Sequence, residues 1–160
     1  MTFQRLANAK LVIRTFQAAD ADEFVRAAHE SIETIGKWMS WCSRSFTRDS
    51  ALEWFASCDQ VRAVGRAFDM GIFCATTGQL LGGAGINQLS PHHRYGNIGY
   101  WVRQSRQGCG IAAGATFECR ARNRIFLHGQ PLDAHIYALI PADFCGKENS
   151  IALSEVNGDR

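Results

Sequence analysis

The sequence predicts a single α+β domain: a mixed, mostly antiparallel sheet flanked by helices, with elements in the order β-α-α-β-β-β-α-β-α. Three observations carry this. Apolar content of 46% over 160 residues suffices for one sizeable core and falls short of two. Apolar residues recur at helical spacing up to about residue 65, then alternate from Phe68 onward. Three alternating segments joined by short turns precede one strand–helix–strand unit, which excludes a doubly wound parallel sheet.

Each element has its own local reason. "KLVIRTF" (residues 10–16) is rich in apolar and β-branched residues and reads as a first strand. Asp20 with Glu23 makes a capping-box-like start, Phe24, Ala28, Ile32 and Ile35 then share a helical face, and Gly36 is the stop. Ser50 with Glu53 starts a second helix whose Leu52, Phe55, Cys58 and Val61 fall at helical spacing up to Gly65. Phe68, Met70, Ile72 and Cys74 alternate in a half-buried strand. "TTGQ" turns into "LLGGAGINQL", a strand whose glycines suggest a bulge or a close approach by a ligand. "SPHHRYG" turns again into "NIGYWV", a third strand. A helix is expected over residues 111–122, a strand over "AHIYALI" (134–140) and a last helix over "KENSIALSEV" (147–156).

Composition excludes several function classes. Lys and Arg number 17 against 15 acidic residues, a net charge of +2, so no concentrated basic face argues for nucleic acid. Arg120, Arg122 and Arg124 read as a solvated helix face. No apolar run approaches the ~20 residues of a membrane span, and the N-terminal residues lack the apolar core of a signal peptide. Cysteines at 42, 58, 74, 109, 119 and 145 show no pair with the two-residue gap of a zinc or redox site. The expectation is a cytoplasmic protein with free thiols, no metal, no nucleic-acid partner and no membrane partner.

The chemistry concentrates in "YWVRQSRQGCGIAAGA" (residues 100–115), where glycines at 108, 110 and 114 follow a strand. Such spacing cradles a pyrophosphate, because bare backbone N–H groups and a helix start can face the anion, or it merely turns a corner. Arg103 and Arg106 could add charge at the rim. A dinucleotide fold fails: it needs its glycines after the first strand, and only 46 residues follow Gly114.

The run Gln107-Gly108-Cys109-Gly110-Ile111-Ala112 has the form Gln-x-x-Gly-x-Ala. Together with "ESIETIGKWMSW", "LLGGAGINQL" and "NIGYWV" it resembles the GCN5-related N-acetyltransferases, in their ribosomal-protein-alanine (RimJ/RimL-type) branch, over residues 10–115. The resemblance implies acetyl-CoA as co-substrate and direct transfer to a primary amine, on a protein N-terminus or a small molecule. It implies that Tyr100, Trp101 and Val102 offer backbone N–H groups to the thioester and pantetheine, and that residues 107–112 hold the pyrophosphate. "SIALSEVNG" is similar to the family's last motif and puts Ser154 where many members carry a thiolate-protonating tyrosine. The family's last strands are then expected to be missing. Trp38 and Trp41 wall an acceptor groove or pack on the core. Asn97 stands where an acidic base is often found, and Glu30 and Glu33 read as surface residues of the first helix. His92 and His93 in their turn could face the cleft. The general base stays open.

Overall fold

The chain leaves its first strand and enters a helix at one carboxylate. In the computed structural model, which describes residues 5–7, 9–109, 111, 116–138 and 154–155, Asp20 Oδ2 accepts the backbone N–H of Gln17 at 2.7 Å and the Arg14 guanidinium at the same distance. Helix α1 (Ala21–Glu30) follows and buries Ala21, Phe24, Ala27 and Ala28. Ser31 interrupts it, its hydroxyl donating to the Ala27 carbonyl at 2.6 Å. One further turn, α2 (Ile32–Ile35), ends at Gly36, where a Cβ would run into the carbonyl oxygens of Ile32 and Cys42. Helix α3 (Arg48–Ala63) starts three residues before the expected position, because the Thr47 hydroxyl accepts the N–H of Ser50.

The strands are β1 (Arg5–Ala7), β2 (Leu11–Arg14), β3 (Phe68–Cys74), β4 (Leu80–Ser90), β5 (Tyr95–Val102), β6 (Thr116–Leu127), β7 (Gln130–Ala138) and β8 (Ser154–Glu155). Six form one antiparallel sheet in the order β5-β4-β3-β2-β1-β8. Strand β3, expected to be half-buried, is covered on both faces from Met70 to Phe73 because it lies mid-sheet. On the helical face, cross-strand partners place Val12 beside Phe73, and Gly83 between Gly71 and Trp101. The core there is a cluster of rings. Phe24, 1% exposed, lies 5.3–5.6 Å from Phe16, Trp41, Phe46, Trp54, Phe55 and Trp101 by ring centroids. Edge and tilted aromatic contacts of this kind add to the area they bury.

The α+β class holds, with its sheet mostly antiparallel, and the expected order fails after residue 111. A helix over 111–122 is replaced by β6, which pairs with β7 in a two-stranded sheet separate from the main one. Two local features favour the strand. His128 and Gly129 both adopt positive φ (52° and 75°), the two-residue turn whose twist suits a hairpin. Across the pair, the Asp133 carboxylate accepts Arg120 at 2.7 Å and the N–H of Asn123 at 2.9 Å. The arginines at 120, 122 and 124 therefore lie on an exposed strand, not on a helix face. The expected last helix lies outside the described residues except at Ser154 and Glu155, which are strand.

Candidate active site

Strand β5 is an edge of the main sheet among the described residues, so alternate backbone groups point away from β4. Its end is pinned to α1 by Arg103. This residue, expected at a charged rim, is 6% exposed. Its guanidinium binds Glu23 at 2.6 Å, Glu30 at 2.5 Å and the Leu80 carbonyl at 2.9 Å. Glu30 Oε1 also accepts the N–H of Ser105 at 2.8 Å, and the Ser31 hydroxyl accepts that of Gln104 at 3.0 Å. The hydrogen bond from Arg103 holds the Glu30 carboxyl down to about 2, against a smaller opposing push from burial. Glu30, read as a surface carboxylate, is thus a structural anchor.

Past this anchor the chain makes one tight turn and reaches the glycines. The Gln107 amide nitrogen donates to the Val102 carbonyl at 3.0 Å and to the Thr34 hydroxyl at 3.2 Å, tying the loop to both β5 and α2. Gly108 has φ 75°, and no atom lies within 4 Å of where its Cβ would be. Arg106 reaches Gln79 at 2.8 Å. Cys109 is exposed, and its thiol meets the Gln107 carbonyl at 3.7 Å. Strand β6 begins at residue 116, inside the span 111–122 where a helix is expected.

These residues surround a cavity of ≈ 970 Å³, lined among others by Thr34, Trp38, Tyr100, Val102, Gln107 and Ile111. Trp101 and Gly108 also line it, together with Lys37 and Arg106. Gly110 and Ala112 lie outside the described residues. A second cavity of ≈ 400 Å³ adjoins it, and Met39, Tyr100 and Trp101 line both. Trp38 and Trp41 therefore do not wall one groove. Trp38, 55% exposed, lines the larger cavity, while Trp41 packs on Phe24 and lines the smaller.

Other candidates are set apart from these cavities. Ser154, on β8, lies at the opposite edge of the sheet from β5, five strand spacings or roughly 24 Å away. His92 and His93 pack ring to ring in an exposed turn. Asn97 donates to Asn87 at 3.0 Å. Asp69 escaped the sequence reading; its signal is a lone carboxylate within the apolar "FDMGIF". Among the described residues no group of His, Cys, Asp and Glu is arranged to hold a metal ion, and no helix is long and apolar enough to cross a membrane.

The fold is an α+β one: a helix-backed antiparallel sheet whose edge strand runs into a glycine loop. The chain belongs to the acetyltransferase (GNAT) domain family, whose model matches residues 10–130. Among the solved structures that share the fold are the following three. The microcin C7 self-immunity acetyltransferase MccE, in complex with acetyl-CoA and AMP, superposes with a TM-score of 0.72 at 16% identity, over 81% of this chain and 92% of its own. RimJ of Mycobacterium smegmatis, in complex with CoA-disulfide, gives 0.69 at 16%, over 88% of each chain. The ribosomal-protein-S5-alanine acetyltransferase of Vibrio fischeri gives 0.68 at 15%, over 83% and 94%. No curated protein matches the sequence.

Proposed function

We propose that the chain moves an acetyl group from acetyl-CoA to a primary amine, on a protein N-terminus or a small molecule, by direct attack of the amine. The observation that carries this reading is the ≈ 970 Å³ cavity running from edge strand β5 to the glycine loop, in a chain of this family. The residues present fit the co-substrate. Gly108 leaves backbone open to an anion, and Lys37 and Arg106 bring positive charge to the same cavity. Gln107, Gly108, Cys109 and Ile111, with Gly110 and Ala112 by resemblance, would take the pyrophosphate. Tyr100, Trp101 and Val102 would take the pantetheine arm, with Trp38 beside it.

Acetyl-CoA, when bound, supplies an activated thioester. The outward backbone N–H groups of β5 orient that thioester and polarise its carbonyl, in the manner of an oxyanion hole. Trp101, 8% exposed and packed edge-on against Phe24 and Trp41, keeps water from the helical side of the strand. Cys109 is read as a loop residue contributing its N–H; among the described residues its thiol meets the Gln107 carbonyl and no base. The ribosomal-protein acetyltransferases among the structural neighbours support a protein N-terminus as acceptor. Five free cysteines among the described residues support a reducing, cytoplasmic setting.

The test is release of CoA thiol from acetyl-CoA in the presence of short peptides with free N-termini. A rate proportional to protein and above the amine-free background is expected; no excess with any amine refutes turnover. One observation favours a second reading, an acyl-CoA-binding module without turnover. Ser154, at the place of the thiolate-protonating residue, lies on β8 at the opposite edge of the sheet from β5. That reading requires CoA to raise the melting temperature with no thiol released.

A further inference from the structure

The smaller cavity holds one carboxylate, and nothing in the fold explains it. Asp69 projects from β3 into a space lined by Asn87, Gly85, Gly99 and the rings of Trp41 and Trp54. Among the described residues no donor hydrogen-bonds its carboxylate; the nearby Arg62 is paired with Asp59. Register sets its direction. Asp69 is opposite Gly85, and Gly85 is opposite Gly99, so the three form one row on the helical face, two strand spacings or about 10 Å long. A Cβ on Gly85 would overlap Asp69 Oδ1, so the carboxylate leans over that glycine toward β5. A Cβ on Gly99 would meet nothing within 4 Å. A trough without side chains therefore runs from Asp69 to the edge strand that lines the larger cavity.

We propose that Asp69 receives the acceptor as an ammonium ion and takes its proton before transfer. The proposal rests on the acetyl-transfer reading above. The aromatic walls suit a cation lying against ring faces, and the carboxylate supplies the opposite charge. Burial raises the Asp69 pKa, an effect larger than the opposing pull of Arg62, which makes the group a better proton acceptor than an exposed aspartate. Arg62 and Cys58 of α3 and Tyr100 of β5 are the other charged or titratable groups around it. In the step, R–NH3+ gives one proton to the carboxylate and becomes R–NH2. Its lone pair forms the C–N bond to the thioester carbonyl carbon as the C–S bond breaks. Sulfur leaves with the electron pair and takes the second surplus proton from nitrogen, and Asp69 later returns its proton to water.

Two readouts test this. Tryptophan fluorescence, through Trp41 and Trp54, follows binding of an alanyl dipeptide amide and of the same peptide lacking its α-amine. Thiol release follows transfer across pH. The wild-type chain should prefer the amine about tenfold or more, and Asp69→Asn should lose that preference. Turnover by Asp69→Asn should fall about tenfold at pH 7, where about a tenth of an α-amine with pKa near 8 is neutral, and approach wild type above pH ~9, where that amine is already neutral. Gly99→Leu should weaken amine binding at least about tenfold by filling the trough, with the thermal response to CoA kept within about twofold. Wild-type binding that depends on Asp69 without any thiol release supports the ammonium site and overturns the acetyl-transfer reading. Equal binding and turnover by Asp69→Asn, or a deficit independent of pH, overturns the role of Asp69. If Asp69→Asn fails to fold, unchanged amine affinity in Gly99→Leu overturns it instead.

Discussion

Replacing Arg103 with methionine should cost stability in a way that depends on pH. The guanidinium is 7% exposed and bonded to Glu23 and Glu30, which are 24% and 30% exposed. The fall in the Glu30 pKa from 4.5 to about 2 corresponds to roughly 3 kcal/mol at 1.36 kcal/mol per pH unit. Because hydrogen bonds from Ser105 supply part of that fall and the carboxylate is partly solvated, about 2 kcal/mol is the better figure, and the lost bond to the Leu80 carbonyl adds about 1. A total of about 2–3 kcal/mol is less than a fully buried pair would lose, since both carboxylates can rehydrate. The folded pKa is depressed, so the contribution of Glu30 is complete above about 4.5 and is lost as pH falls through about 2. At pH 3 about two-fifths of it remains. Urea unfolding of both proteins at pH 7 and pH 3 reads the difference. A loss at pH 7 below about 0.5 kcal/mol, or an equal loss at both pH values, would refute the assignment of Arg103–Glu30 as the anchor of β5.

Two further substitutions probe the geometry. Gly83→Ala puts a Cβ 2.6 Å from Trp101 Nε1 and must displace the indole from its contacts with Phe24 and Trp41, so about 1–3 kcal/mol of stability and the thermal response to CoA should be lost together; a variant that melts like wild type and still responds would contradict the packing. Gly129→Val forces a β-branched residue to φ 75° in the hairpin turn, which should speed hydrogen exchange in β6 and β7 while leaving β2 and β3 protected. Equal exchange acceleration in both sheets would show that the hairpin is part of the main cooperative unit.

The sequence made the helices and central strands legible because their signals are local. Asp20 and Glu23 lie three residues apart, Gly36 follows its helix directly, and the alternation of β3 is read within seven residues. Arg103 was misread because its partners are 73 and 80 residues away, and only the fold brings them to it. The hairpin was misread for a different reason. Phe117, Cys119 and Ala121 alternate with Glu118, Arg120 and Arg122, a period of two, but a helix was expected after the glycines, and the arginines were assigned to its solvated face. The pair His128-Gly129 was the missed turn signal. Asp69 was missed because a lone carboxylate in a strand has no partner in sequence; its meaning depends on two glycines on neighbouring strands.

Those glycines separate what the fold needs from what it leaves over. Gly83 is bare because the Trp101 indole occupies the space above it, and any side chain there would displace a core ring. Gly85 is bare because Asp69 leans across it. Both have an occupant within the protein that accounts for the missing side chain. Gly99 has none among the described residues: a strand position with ordinary φ and open space above it could carry a β-branched residue, which would stabilise an edge strand by roughly a kcal/mol relative to glycine. Packing gives no reason for glycine at this position. The space above Gly99 belongs to the cavity that Asp69 shares with Trp41, Trp54 and Trp101. The acceptor proposed above would account for it, since an ammonium group approaching β5 from Asp69 must pass over that residue.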